Sequence, residues 1–384
     1  MKRIIHNAGC GSFCTESFCC HPLKAEKTHF NVVYDCGSSD MGLEVQQEAL
    51  SYFSHYGYID LLFISHLDED HVNGIKALRH FMDRETKVFL PFFEDSYRLL
   101  SVKGYFAYYF DLVDYLSQNE IPIIFIDAES NNDENDPVRI DDLNYRGHYP
   151  SGTVFYIDRP YCIWEYIPFN IQESVNINLV EKVCYEKGMT NEDFDRCINH
   201  KSVNDSVLEK LKQVYKDKRI SKIYSGVTEA NMSSMLLISK NSRKCDVSFC
   251  EVLEGWHTDI NSSRINLKYT TEDYFLNNAS CLYTGDAGLR KDECFDIVLK
   301  YYRKHLPNGV GIMQIPHHGT AHYYPKNLFN LLNMKMAFVN ITLSSSNPLF
   351  YAQIPFDFAD KHIPLYIVDK EPYSRIMCLC RPFV

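Results

Sequence analysis

Short runs of β-branched and aromatic residues alternate along this chain with stretches whose apolar residues recur every three or four positions. The first pattern predicts strands at Phe30–Tyr34, Ile59–Ser65, Lys87–Leu90, Ile121–Ile126, Cys162–Tyr166, Met235–Ser239, Asp246–Val252, Ser280–Tyr283, Gly311–Ile315, Met336–Ile341 and Leu365–Val368. The second predicts helices at Gly42–Phe53, His71–Phe81, Asp95–Tyr115, Asn204–Lys216, Gly288–His305 and Pro325–Leu332. Strands followed by helices over the whole length imply a layered α/β architecture. No internal repeat of solenoid length interrupts it.

Two stretches read as insertions on a single domain spanning 1–384. The first, about 92–158, carries an aromatic-rich helix (Tyr105, Phe106, Tyr108, Tyr109, Phe110) and an acidic loop from Glu129 to Asp136. The second, about 175–222, is helical and charged. Neither is bordered by a Pro/Gly/Ser linker. The tyrosine stripe suits a core or a protein interface better than a base-stacking platform.

Chemistry concentrates where strands end. Ser65-His66-Leu67-Asp68-Glu69-Asp70-His71 follows an apolar strand and opens a helix. Four oxygen and nitrogen ligands, His66, Asp68, Asp70 and His71, can converge from such a turn, and a helix start favours carboxylate. Packed Asp and His side chains are costly unless a cation neutralises them. An acidic surface loop with an N-cap Asp is the plainer account of this segment alone. Asp286, in Thr284-Gly285-Asp286, follows a second strand, and the twin imidazoles of Pro316-His317-His318-Gly319-Thr320 follow a third. Taken singly, Asp286 reads equally as a helix N-cap and the histidines as structural residues.

Together these motifs resemble the metallo-β-lactamase superfamily, with its HxHxDH segment, Gly-Asp after a strand and final His-Gly. The branch typified by the soluble domain of the competence protein ComEC is more similar still. Its SHxDxDHxxG is matched by Ser65 to Gly74, its Asn-x-x-Ser by Asn231-Met232-Ser233-Ser234, and its TGD and PHHG(S/T) by residues 284–286 and 316–320. Asp35-Cys36-Gly37 and Ala8-Gly9-Cys10-Gly11 match upstream turns of the family. The resemblance implies a four-layer αββα sandwich with helical insertions and a site for two divalent metal ions. His66 and Asp68 would hold one ion, Asp70 and His71 the other. Asp286 would bridge them, and His317 or His318 would complete the second site. His318 matches the family's His-Gly position, leaving His317 as an outer residue or as an acid for the leaving group.

The chain departs from the family twice. Asp68 replaces the second His, and the middle His is missing, with Asn231 about where it belongs. His257 is a candidate substitute, though a surface role suits it better. A site poor in imidazole leaves Zn²⁺ and Mn²⁺ both open. The implied chemistry is attack by a metal-activated water on a phosphorus or carbonyl centre, with Asp70 or Asp286 orienting the water, His317 or His318 serving the leaving group, and Thr320 offering a hydroxyl.

Composition narrows the partners. Lys and Arg number 39 against 50 Asp and Glu, a net charge of −11, which argues against a broad basic face for long nucleic acid. A phosphate-bearing substrate or nucleic acid gripped locally at metal ions stays compatible, as does a protein partner on the aromatic-rich insertion. The 14 cysteines match no paired metal-binding spacing. No apolar run approaches the roughly 20 residues that cross a bilayer, and MKRIIHNAGC lacks the apolar core of a signal peptide, so a cytoplasmic protein with no membrane contact is expected. Phosphodiester hydrolysis, in a nuclease or defence effector, leads the functional readings. An amide, lactam or thioester hydrolase and a degenerate metal-stabilised interaction scaffold are the alternatives.

Overall fold

A computed structural model describes residues 1–19, 29–38, 42–92, 105–128, 136–143, 146–159, 162–171, 177–198, 204–219, 234–242, 248–261, 264–270, 274–276, 278–289, 292–320, 323, 332–342, 358, 362–371 and 374–382. The predicted helix Pro325–Leu332 falls almost wholly outside them, and Asn231 lies outside them too.

Two sheets organise the chain. The first runs β14 (Tyr274–Leu276), β12 (Ser248–Asn261), β19 (Ile376–Pro382), β1 (Lys2–Ile5), β2 (Cys14–Cys19), β3 (His29–Tyr34), β4 (Leu61–Phe63), β5 (Lys87–Pro91), β6 (Ile123–Ile126), β8 (Arg146–Tyr149). It is antiparallel up to β3 and parallel from β3 onward. The second runs β13 (Arg264–Thr270), β12, β18 (Leu365–Val368), β17 (Met336–Asn340), β16 (Ile312–Gln314), β15 (Cys281–Tyr283), β11 (Met235–Asn241), β10 (Cys162–Asn170), β9 (Phe155–Arg159), β7 (Val138–Arg139). Strands β15 to β18 are parallel. Strand β12 belongs to both sheets. Its first half pairs with β19 and its second with β13, and the register slips between Val252 and Glu254, a bulge that turns the strand from one sheet to the other.

Side chains alternate faces along a strand, and here both faces are apolar because both are covered. In β4, Leu61 and Phe63 join one core cluster while Leu62 joins another. In β11, Met235 and Leu237 point one way and Leu236 and Ile238 the other. Three apolar clusters result. One lies between the sheets and holds Tyr34, Phe63, Phe89, Trp164, Tyr166 and Phe338. One packs β3 to β6 against α1 (Leu43–Tyr56), α3 (Ile75–Leu78) and the helices α5 (Ile177–Glu186), α6 (Asn191–Ile198) and α7 (Asp205–Tyr215). The third packs the second sheet against α8 (Asp292–His305) through Val298, Leu299, Tyr301 and Tyr302. Each fully buried large side chain is worth roughly 1.5–3 kcal/mol relative to exposure.

The stretch 92–158 contributes to the sheets themselves, supplying β6 and β8 to the first and β7 and β9 to the second. Its helix is α4 (Tyr105–Gln118). The helix expected over His71–Phe81 is broken into α2 (Glu69–Val72), α3 and a 3₁₀ turn, Arg79–Phe81. At the break, Gly74 donates its backbone N–H to Cys36 O at 2.7 Å, and the Asn73 side chain accepts from Ser38 N and donates to Ser38 O. These bonds outside the helix replace the internal ladder. Among the described residues no helix is long and apolar enough to cross a membrane.

Candidate metal centre

The carboxyl ends of parallel strands from both sheets meet at one rim, where open α/β sheets ordinarily bind ligands. From the first sheet come Asp35 after β3 and the Ser65–His71 segment after β4. From the second come Asp286 after β15, His317 and His318 after β16, and the Asn340 carbonyl at the end of β17. Met235 N donates to Ser65 O at 2.7 Å and Tyr34 Oη to Met235 O at 3.0 Å, tying the sheets together beside the site.

Close backbone approach positions the His66–His71 segment. Cys36 N donates to His71 O at 2.8 Å, and Ser12 N to Asp70 O at 3.3 Å. Gly37 lies so near that an added Cβ would stand 2.1 Å from the Asp70 carbonyl. Gly285 has φ +51° and leaves room for Ser65 in the same way. Asp35, His317 and His318 also take left-handed φ values of 55°, 49° and 51°, and such strain collects at functional sites.

Asp286 is buried at the centre. Its Oδ1 lies 3.3 Å from His71 Nε2 and 3.8 Å from His318 Nε2, and its Oδ2 lies 3.8 Å from His66 Nε2 and 3.7 Å from His317 Nε2. His66 Nε2 is 3.6 Å from Asp68 Oδ1, and His318 Nε2 is 3.2 Å from Asp70 Oδ2. Two triads, His66–His71–Asp286 and Asp70–His71–His318, each bring three ligand atoms within 4.8 Å of one another.

The opposite edge of every ring is fastened. His71 Nδ1 pairs with Asp35 Oδ2 at 2.8 Å, His66 Nδ1 with Ser65 Oγ at 2.9 Å, His317 Nδ1 with Thr320 Oγ1 at 2.8 Å and His318 Nδ1 with Asn340 O at 3.0 Å. A carbonyl or carboxylate accepts only from N–H, so His71 and His318 carry their ring proton on Nδ1. Ser65 spends its own proton on Asp35 Oδ2 at 2.8 Å, so its oxygen accepts from His66 Nδ1 as well. In their neutral form these rings therefore turn an Nε2 lone pair inward, the form a metal ligand takes, with the Nδ1 partners that ligating histidines ordinarily have. His66, His71 and His318 keep that Nε2 buried without a hydrogen bond, an arrangement that costs free energy unless something else meets the lone pairs. Imidazole and carboxylate donors at this spacing fit divalent cations.

Charge is strongly coupled here. Burial opposes ionisation of Asp286, yet the neighbouring His318 and His71 hold its carboxyl well below the usual range. Asp70, also disfavoured by burial, is drawn down to about 2 by His318 and His71. Burial would lower His71 and His318, but Asp286 with Asp35, and Asp286 with Asp70, push them up. His317 is lowered, chiefly by burial.

All the proposed ligands thus lie at one rim: His66, Asp68, Asp70, His71, Asp286 and His318. His317 and Thr320 are in contact beside them. His257 lies in β12, where its backbone pairs with Lys268 and Tyr366. The Asn340 carbonyl is a further contributor that carries no signal in the sequence; Ser234, the serine of the Asn-x-x-Ser match, accepts from Asp286 N through its Oγ at 3.1 Å. Asp35 was visible only as part of a turn motif.

No protein-family model matches the chain, and a search of curated proteins gives no relative. Among solved structures, the chain has similarity to MEM-A1, a subclass B3 metallo-β-lactamase isolated from a soil metagenome library, at TM-score 0.19 and 9% identity, over 58% of this chain and 97% of that one.

Proposed function

We propose that the protein is a dinuclear metal-dependent hydrolase with the four-layer αββα architecture of the metallo-β-lactamase superfamily, acting on a phosphodiester of nucleic acid or of a nucleotide. One observation carries the reading: Asp286 presents each of its two carboxylate oxygens to a separate pair of imidazoles. A carboxylate addressed from both sides is what a bridging ligand requires, and paired ions clamp both the attacking and the leaving oxygen of an in-line displacement. Three apolar clusters between four layers of sheet and helix support the architecture.

In this reading His66, Asp68 and Asp286 hold one cation, and Asp70, His71, His318 and Asp286 the other. Divalent ions there supply activated water and offset negative charge that builds on a phosphoryl oxygen. Asp70, ionised well below neutrality, accepts a hydrogen bond and orients the attacking water. Asp35, Ser65 and Asn340 hold the rings so that no reorganisation is needed during the reaction. Zn²⁺ and Mn²⁺ both suit the mixed donors.

The test is a substrate panel with Mn²⁺ and with Zn²⁺: linear and plasmid DNA, RNA, bis(p-nitrophenyl) phosphate and a lactam. Metal-dependent turnover of a phosphodiester, lost in Asp286→Ala, is expected. Turnover of the lactam alone would replace the phosphodiester reading with amide hydrolysis, and a wild-type chain that binds no metal would end the hydrolase reading.

A further inference from the structure

We infer that His317 is a ligand of the metal ion on the His66 side of Asp286, filling the place for which the sequence offers no middle histidine. The inference rests on the metal-dependent reading above. His317 and His318 are adjacent in the chain but serve opposite oxygens of Asp286. His318 Nε2 lies 3.8 Å from Oδ1, the oxygen that His71 also faces. His317 Nε2 lies 3.7 Å from Oδ2, the oxygen that His66 faces at 3.8 Å. An ion bound by His66, Asp68 and Oδ2 therefore has His317 as a further nitrogen donor facing that same oxygen, whereas His71, whose ligand atom also lies within 4.8 Å of those of His66 and Asp286, faces Oδ1.

The backbone explains how neighbours divide this way. Both residues are left-handed, in a turn pinned by His317 N donating to Gly285 O at 3.1 Å and Thr320 N donating to His317 O at 2.9 Å. Neither residue is glycine or asparagine, so each conformation carries a strain cost. That cost is intelligible if both rings must reach the same carboxylate from different sides.

The His317 ring is set rigidly. It stacks on Tyr323 with centroids 3.8 Å apart and planes 7° from parallel, and its Nδ1 pairs with Thr320 Oγ1. This repeats the pattern of the other three rings, with Nδ1 fastened and Nε2 turned to Asp286. With His317 the donor set on this side becomes two imidazoles and two carboxylates. Without it His66 is the one described imidazole that faces Oδ2. A histidine reserved for the leaving group would turn Nε2 toward substrate and would have no bearing on how many ions bind.

Metal-stripped wild type, His317→Ala, His317→Gln and His318→Ala are titrated with Co²⁺ alone and with Mn²⁺ alone. Bound ions are counted by native mass spectrometry, the Co²⁺ ligand field is read by visible absorption, and folding is checked by circular dichroism. Both His317 variants are expected to lose one ion, or to bind it about 10–100-fold more weakly, with a changed Co²⁺ spectrum. His318→Ala is expected to weaken the other ion. Unchanged stoichiometry, affinity and spectrum in a folded His317 variant would overturn the inference and leave the hydrolase reading standing. Wild type that binds neither ion would overturn both. Should His317→Ala misfold, His317→Gln and Thr320→Val, which frees Nδ1, carry the same readout.

Discussion

Asp35 fixes the ring of His71: its Oδ2 accepts the Nδ1–H at 2.8 Å, which leaves Nε2 directed at Asp286. The same carboxylate accepts the Ser65 amide at 2.7 Å and the Ser65 hydroxyl at 2.8 Å, and Ser65 in turn holds His66. One buried side chain thus sets two imidazoles that face Asp286. Asp35→Asn keeps the shape but can present an amide N–H to Nδ1, which would move the imidazole proton to Nε2. Ion affinity, measured by competition with a chelator, is expected to fall about 10–100-fold with the fold retained. Unchanged affinity would mean that packing alone orients the rings.

Gly37 tests the backbone seam beneath the site. A Cβ there would stand 2.1 Å from the Asp70 carbonyl and 2.2 Å from His71 N, so Gly37→Ala must displace the segment that carries two ligands. The expected loss is large, above about 4 kcal/mol, with weaker ion binding in whatever folds. Gly57→Ala is the control: its Cβ would meet nothing within 4 Å, but its φ of +82° carries the left-handed penalty. A smaller loss at Gly37 than at Gly57, read from denaturant midpoints, would refute the seam.

Much of this site is legible in sequence because its ligands sit on three short motifs at strand ends, each beside glycine. His66 to His71 need only one strand-to-helix turn to converge. What could not be read is the division of labour. The side of Asp286 that His317 faces depends on two successive left-handed residues, and Asp35 acts across about 30 positions of chain with only a turn motif to mark it. The fold was legible where strands alternate with helices. It was obscured where β12 continues past its bulge through polar Glu254, His257, Thr258 and Asp259, which break the β-branched and aromatic run that marks a strand. The break at Asn73 and Gly74 was hidden too, since the bonds that replace the helix ladder come from residues 36 and 38.

Between the sheets, Arg3 is wholly buried and pairs with Glu16 at 2.8 Å. Glu16 also accepts from Tyr166 Oη, Tyr283 Oη and Ser239 Oγ, each at 2.8 Å. Strands of both sheets meet in this network, so it specifies how they face each other. Glu16→Ala leaves a buried guanidinium without its counter-ion and is expected to cost roughly 3–5 kcal/mol, seen as a lower denaturant midpoint with metal stoichiometry unchanged. A loss below about 1 kcal/mol would show that the pair is energetically idle.

The last prediction concerns protons. Asp286 with Asp35, and Asp286 with Asp70, raise His71 and His318 above the ordinary histidine value against the opposing effect of burial, so each ring holds a second proton more readily than a free histidine while no ion is bound. A raised folded-state value gives the ion-free protein stability that is fully present below the unfolded histidine pKa of about 6.5 and is lost as pH climbs through the raised values. A divalent ion needs the same Nε2 atoms as lone pairs and must expel those protons. Ion affinity should therefore rise with pH across neutrality while the ion-free protein loses this contribution, so the stabilisation conferred by metal grows with pH from both causes. Titration calorimetry in two buffers of different ionisation enthalpy counts the protons released on ion binding, and release is expected with His71 and His318 intact and less of it in His318→Ala. Release of none at pH 7 would mean that both rings are already neutral and that the carboxylates do not hold a second proton on them.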